Sequence, residues 1–297
     1  VKLSREKAQK NLSFLLLAAT SLIWGTSFIL IKKATTVFGP LEVGNLRIVY
    51  AFVVFVPICW QQRKQIPIQL WGWIFVSGLM GSLVPSMLFS WAGSKIASSL
   101  SGMLNAVTPL FTILIAILFY GQRFSFIKWI GIFLGLVGAF ILAFLKPGGD
   151  LEVNIYIWPV IFATLLYALN INLLKVKLGH IPPVALSAAS ITAVGPIALL
   201  ILFGFTDFSY KMKFAEGAIQ AAGYVAILGL LGTALALILF NKLIQISGSL
   251  TASSVTYIMP AISVFWGLAD HEPFGLFQAF GLICILIGVY LVNRTSD

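Results

Sequence analysis

Two segments of the chain set hydroxyl and amide side chains at helical spacing. In 98–119, Ser98, Ser101, Asn105, Thr108 and Thr112 recur at steps of three and four residues, so a helix carries them on one face. In 249–269, Ser249, Ser253, Thr256, Pro260 and Ser263 share a face in the same way. Such a stripe in an apolar helix supports one of two chemistries. It lines a cavity that hydrogen-bonds a polar solute, or it lets neighbouring helices approach and bond across. Asn105, larger and more polar than the serines, points to the cavity.

Arg47 stands about a third of the way into an apolar run. An ionisable side chain at that depth is costly and is a functional hypothesis by default. It holds a substrate carboxylate, or it pairs with backbone carbonyls as an anchor. Glu42, five residues earlier, lies too far round the helix to be its ideal partner. Trp24 has Ser27 one turn on, and Tyr167 has Asn170 one turn on. An aromatic beside a small polar group suits an amphiphilic metabolite; core packing is the alternative. Asn241, Trp91 and Tyr257 complete the candidate binding set with Ser101, Asn105 and Thr256. Pro109 and Pro260 fall in mid-run, where a proline removes a backbone hydrogen bond and bends a helix. They are candidate hinges, and Glu272 is a candidate gate.

Some chemistries are excluded. No Asp or Glu lies deep in any apolar run, which argues against an antiporter that shares a buried carboxylate between a proton and a cationic drug. His180 and His271 are the only histidines and sit apart in connecting segments. Asp270, His271 and Glu272 are adjacent on a turn and do not converge on one ion. No Ser-His-Asp set and no phosphate loop is present. The expectation is no enzyme activity, no metal and no cofactor. Cys59 and Cys284 form neither a ligand spacing nor a disulfide framework.

The elements that position these residues are set by composition. Hydrophobic residues make up 60% of the 297 and charged residues 9%, against roughly 25% charged in a soluble protein. Most of the outer surface must therefore face lipid. The net charge of +10 sits in short segments between apolar runs, as orientation signals do, and not as a nucleic-acid footprint. A crossing takes about 20 helical residues, and open backbone groups are too costly in lipid. The sequence thus predicts an all-α integral membrane protein with ten transmembrane helices, near 12–32, 41–60, 70–92, 97–119, 126–145, 155–176, 183–204, 219–242, 249–269 and 275–293. The first run is long enough to span and is kept as a helix, not a cleaved signal. With the N-terminus inside, twelve Lys and Arg fall in inside segments and six outside. That bias places both termini in the cytoplasm, although Lys32 and Lys33 oppose it.

The chain also repeats itself. An offset of 151 residues carries Gly78 to Gly229, Gly81 to Gly232, Phe89 to Phe240, Ser98 to Ser249 and Pro109 to Pro260. An offset of 150 carries Gly131 to Gly281 and Gly138 to Gly288, and one of 143 carries Trp24 to Tyr167, Lys32 to Lys175 and Pro40 to Pro183. The chain reads as two five-helix halves, 1–148 and 149–297. Five is odd, so the halves are inverted about an axis in the membrane plane. Inverted repeats build many secondary transporters, with the substrate near the midplane between the halves. Here it would sit between helices 1, 3, 4, 6, 8 and 9.

The stretches SLIWGTSFILIKKA, GPLEVGNLRIVYA and GSLTASSVTYIMPAISVFWGLADHEPFGLFQAFGLICILIGVYLV resemble the EamA-like branch of the drug/metabolite transporter superfamily. The likeness covers essentially the whole chain and rests on the WG of helix 1, the Arg of helix 2, the prolines of helices 4 and 9, and the acidic turn before the last helix of a half. Glu272 keeps that turn in the second half, whereas Gln122 stands at the matching place in the first. The resemblance implies export of small metabolites, often amino acids, from the cytoplasm across a bacterial inner membrane. It also suggests dimer contacts through helices 5 and 10, where Gly131 and Gly135 form G-x-x-x-G, with a monomer able to transport. The expected partners are a small-molecule substrate and the lipid bilayer, and no nucleic acid. Alternatives are an exporter of nucleosides or lipophilic drug-like compounds, or a channel-like membrane protein.

Overall fold

The computed structural model describes the backbone except at residues 1, 121–124, 152–153, 254 and 294–297, and side chains except at those positions and at 2–9, 120, 249–251, 253 and 293. Among the described residues the chain is helical, with one isolated bridge between Leu145 and Leu151 and no strand. Eight helices are long and apolar enough to cross a membrane: α1 Lys10–Ala34, α2 Pro40–Gln65, α3 Ile68–Gly93, α4 Ser98–Phe119, α5 Phe126–Phe144, α6 Ile157–Leu178, α7 Pro183–Gly204 and α8 Ala218–Gly248. Two shorter apolar helices follow, α9 Val255–Ala269 and α10 Leu276–Val292. Together they are the ten expected from the apolar runs.

Local chemistry marks the ends. Pro40 and Pro183 open α2 and α7, where a missing N–H costs nothing and φ is already helical. Glu42, at the third helical position of α2, accepts the Gly39 N–H, the half of a capping box that a glycine at the N-cap allows. Gly248 sits at φ 80°, a left-handed value open to glycine, and turns the chain from α8 toward α9.

The packing is symmetric in pairs. Helices α2 and α7 pack together, as do α5 and α10; in both pairs a helix packs on its own repeat partner. Helix α1 packs on α9 as α6 packs on α4, and α8 packs on α1 as α3 packs on α6. This exchange is what an inverted five-helix repeat requires. The turns after α1, α3, α5, α7 and α9 gather on one face, here called the far face. There Lys32 reaches Asp270 and Glu272, Glu272 reaches Ser98 and Ser99, Lys211 reaches Glu42, and Gln278 reaches Leu145. The opposite face, where α1 begins, is the near face. There Ser247 donates to Ser13 at 2.6 Å, and Gln245 donates to the Ile181 carbonyl at 2.7 Å.

The α5–α10 pair stands beside the other eight helices. A Cβ on Gly131 would lie 2.6 Å from the Gly288 carbonyl oxygen, and one on Gly138 2.4 Å from that of Gly281. The glycine faces are therefore consumed within the chain, where the two helices touch backbone to backbone. The G-x-x-x-G glycines thus serve a contact within the chain.

Candidate functional site

Where the halves meet, a cavity of about 100 Å³ opens near mid-height. Every helix except α5 and α10 contributes to its wall. Helices α2 and α7, absent from the wall expected from sequence, supply Arg47, Ser187 and Ser190.

Arg47 sets the electrostatics. It is buried, and among the described residues no carboxylate pairs with it. Its Nε donates to Thr233 Oγ1 at 2.7 Å and its Nη2 to the Gly232 carbonyl at 3.2 Å. The same carbonyl accepts Trp24 Nε1 at 2.9 Å. This acceptor exists because α8 changes pitch over Leu230–Leu235, a π-helical turn. Such a turn displaces the ordinary i→i−4 bonding and leaves carbonyls for side chains. Thr233 confirms the register, its hydroxyl donating to Leu228 O five residues back at 3.2 Å. The offset of 151 carries this turn to the π-helical turn Leu79–Leu83 in α3, which lines the opposite wall with Gly81 and Ser82. Sequence reading missed both turns and Thr233. The signal was the pair of matched glycines, Gly78 with Gly81 and Gly229 with Gly232. A Cβ on Gly78 would meet Ser190 O at 2.3 Å, and one on Gly229 would meet Arg47 O at 2.7 Å.

Two amides face the cavity with acceptors open. Asn105 is 3% exposed and its Oδ1 has no partner; its Nδ2 makes only a 3.8 Å contact with Met259 Sδ. Asn170 Oδ1 is likewise buried and unpartnered. A buried amide oxygen without a partner is rare and costly. Asn241, by contrast, is engaged, donating to Ser187 Oγ at 2.8 Å. Ser27 lines the wall and donates to Ile23 O at 3.0 Å, and Thr256 lines it from α9.

The remaining wall is aromatic and apolar. Tyr167 stacks on Phe89 with centroids 5.8 Å apart, and Trp24 tilts on Phe240 at 4.9 Å. Phe89 and Phe240 are repeat partners, as are Trp24 and Tyr167, so each pair joins one ring from each half.

Three residues from the candidate binding set do not line the cavity. Trp91 is 51% exposed near the far face and meets Tyr156 edge-on at 6.5 Å. Ser101 is buried with its hydroxyl unpartnered, one helical turn from Asn105 toward the far face. Tyr257 turns its hydroxyl to the Val289 carbonyl of α10. The 3,4 spacing that selected Ser101 continues its stripe into the contact between α4 and α9, where a Cβ on Gly102 would fall 2.1 Å from Ser263 Oγ. The far end of the stripe is thus packing and the middle is cavity. Gln122 and the side chains of Ser249 and Ser253 lie outside what the structure describes.

The two prolines behave differently. At Ala106–Val107 helix α4 breaks into turns, with Ala106, Val107 and Leu110 bonding three residues back, one residue ahead of Pro109. Thr108 Oγ1 caps the break by donating to Asn105 O at 2.8 Å. Pro260 instead lies inside an unbroken helix, with Ser263 Oγ on its carbonyl at 2.9 Å. Glu272 sits apart from the cavity, in the far-face cluster.

Comparison with known proteins places this arrangement. The EamA-like transporter family matches residues 11–144 and again 154–294. An uncharacterized transporter of Archaeoglobus fulgidus is 23% identical over 283 residues, spanning 95% of this chain and 98% of its own length. The uncharacterized transporter YvbV of Bacillus subtilis is 22% identical over 97% of this chain and 93% of its own, and the uncharacterized inner membrane transporter YedA of Escherichia coli 23% over 93% and 89%. A solved structure superposes with a TM-score of 0.64 at 16% identity, covering 94% of this chain and 95% of that one, a likeness of fold alone. With two matching segments that together take in nearly every residue, the chain belongs to the EamA-like transporter family.

Proposed function

We propose that this protein is a secondary transporter that moves small zwitterionic or neutral metabolites, amino acids foremost, through the cavity between its halves. The observation that carries this reading is a buried Arg47 without a carboxylate partner, in the same cavity as two unpartnered amide oxygens. An unpaired guanidinium takes a carboxylate, and a charge-assisted bond of that kind contributes about 1.5–3 kcal/mol. Asn105 Oδ1 and Asn170 Oδ1 lack donors, which an ammonium or hydroxyl supplies. The aromatic wall receives the apolar body. One molecule that carries an anion and a donor at opposite ends satisfies all three groups, and an α-amino acid does so. With no acidic residue in the cavity wall, carboxylate-based proton coupling has no residue to use there, and a facilitator or exchanger fits best.

Rocking of one half against the other then exposes the cavity to each face in turn. The near face is cytoplasmic in this reading, with both termini there, and the far face is outside a bacterial inner membrane. Net flux is outward.

The test is counterflow in liposomes holding the purified protein, with a labelled pool of amino acids, nucleosides and other metabolites, with and without a pH gradient. Saturable amino-acid counterflow that ignores the gradient supports the reading. Counterflow of nucleosides alone, or strict dependence on the gradient, overturns its substrate class or its coupling.

A further inference from the structure

The far face carries a set of charges that the cavity does not use. Glu272 lies in the turn between α9 and α10 and is 7% exposed. Its Oε1 accepts Lys32 Nζ and the Ser98 N–H, both at 2.7 Å. Its Oε2 accepts the Ser99 N–H at 2.9 Å and Ser99 Oγ at 2.7 Å. Asp270, two residues away, accepts Lys32 at 2.9 Å and Lys33 at 2.8 Å. Between them His271 has φ 58°, a left-handed value uncommon outside glycine, which turns both carboxylates toward the same partners. Lys32, Lys33, Ser98 and Ser99 belong to the first half; Asp270 and Glu272 belong to the second. Every one of these bonds therefore crosses between halves.

The backbone closes with them. A Cβ on Gly267 would lie 2.5 Å from Glu272 Oε2 and 2.8 Å from Ser99 Cβ, so this glycine lets the carboxylate and α4 seat against α9. Helix α9 packs along the Ser98–Asn105 part of α4. Beyond the break at Ala106–Val107, the part Thr108–Tyr120 packs instead against α6. The two helices meet at the far face and part toward the near face. Ile31 of the cavity wall precedes Lys32 on α1, so the cluster sits on the far-face end of a helix whose Trp24–Ile31 part lines the cavity.

Inversion would place a matching closure at the near face. The repeat offsets carry Lys32 to Lys175, Ser98 to Ser249, and Glu272 to Gln122. A lysine and a hydroxyl recur, but the carboxylate does not; Asp270 likewise falls on Tyr120.

We infer that Lys32, Lys33, Asp270 and Glu272 form an ionic latch on the far face, and that Gln122 and Tyr120 in place of its two carboxylates at the repeat-matched positions make the near-open state the resting state. The inference rests on the alternating-access reading but not on any substrate. A charged latch on one side only biases a two-state equilibrium toward the state it closes. An empty carrier then waits open to the near face, and the latch must break in each cycle.

The test is side-specific labelling of single introduced cysteines in reconstituted protein with a membrane-impermeant maleimide; the unsubstituted protein, with Cys59 and Cys284 buried, gives the background. Ser187→Cys on the near side of the cavity wall is expected to label from the near face faster than Ile31→Cys labels from the far face. Adding Asp270→Asn or Glu272→Gln is expected to raise far-face labelling of Ile31→Cys by about tenfold, the scale on which loss of one charge-assisted bond shifts such an equilibrium. Because Glu272 also caps α4, Asp270→Asn serves where Glu272→Gln fails to fold. Conversely, Gln122→Glu is expected to slow near-face labelling of Ser187→Cys. Equal far-face rates with and without Asp270→Asn, in proteins of equal melting temperature, would overturn the latch. Faster labelling of Ile31→Cys than of Ser187→Cys in the otherwise unchanged protein would overturn the resting state. Absence of any counterflow leaves both rates measurable, so failure of the transport reading is told apart.

Discussion

Thr233→Val isolates how the cavity holds its charge. The hydroxyl accepts Arg47 Nε at 2.7 Å, the shorter of the two bonds that orient the guanidinium; the other, to Gly232 O, is 3.2 Å. Valine keeps the shape and removes the acceptor. It also removes the donation to Leu228 O at 3.2 Å, a weaker and neutral bond. The lost charge-assisted bond is worth about 1.5–3 kcal/mol. A guanidinium freed by that amount spends roughly a tenth or less of its time in the orientation that faces a ligand, and apparent affinity falls in proportion. The expected result is a half-saturation constant for a carboxylate-bearing solute raised by about 10-fold, and by no more than about 100-fold. Thr233→Ser, which keeps the acceptor, should stay within about threefold of the unchanged protein, a difference under 1 kcal/mol. The assay is counterflow over a range of solute concentrations, with thermal unfolding in detergent as the control for folding. If valine and serine give the same constant in folded protein, the idea that the π-helical turn of α8 aims Arg47 is wrong.

Further expectations follow from the same geometry. Asn105→Ala removes an amide oxygen that has no protein partner, so melting should be unchanged or slightly raised while affinity for an ammonium-bearing solute falls by about 5- to 10-fold, the worth of roughly 1 kcal/mol; a fall in melting with affinity intact would favour packing. Gly138→Leu forces a side chain where even a Cβ lies 2.4 Å from the Gly281 carbonyl, and should destabilise by about 1–3 kcal/mol or more, read as a lower melting temperature. The latch carboxylates have depressed pKa values: hydrogen bonds from Lys33 and Lys32 hold Asp270 at about 2; burial pushes Glu272 up, but the hydrogen bonds from Lys32, Ser99 and Ser98 together outweigh it and hold the carboxyl below its ordinary value. Depressed acids stabilise fully above their unfolded pKa of about 4 and lose that contribution as pH falls through the folded value. With Lys32 and Lys33 from α1, Lys95 after α3 and His271 in the turn as the charged or titratable neighbours, the rate of Ile31→Cys labelling relative to that of a fully exposed cysteine at the same pH, which cancels the thiolate fraction, should be flat from about pH 5 to 8 and rise only toward about pH 3; a rise centred near pH 6 would contradict this.

Much of the architecture was legible because lipid leaves so little choice. Ten apolar runs became ten helices, and the offsets in Gly, Pro and Phe became a symmetric exchange of packing partners. The cavity was partly legible for the same reason. Trp24, Arg47, Asn105, Tyr167, Asn170 and Asn241 were picked out as polar or amphiphilic groups at depth, and all of them line it. What the spacing could not resolve was where along a stripe the helix contact ends and the cavity begins. Ser101 and Tyr257 fell on the contact side, and Trp91 at the far face. The aim of Arg47 was invisible because it depends on a backbone carbonyl, Gly232 O, released by a change of helical pitch. Lys32 and Lys33, which weakened the orientation signal, are balanced in space by acids 238 and 237 residues away, a pairing that no local pattern records.

The most direct test of the central account compares a free amino acid with its methyl ester as competitors of counterflow, in the unchanged protein and in Arg47→Ala. The free acid is expected to compete at least about 30-fold better in the unchanged protein, the worth of about 2 kcal/mol at the guanidinium, and Arg47→Ala to abolish this preference while still melting cooperatively. Equal competition by acid and ester in the unchanged protein, or a preference that survives in Arg47→Ala, would contradict it.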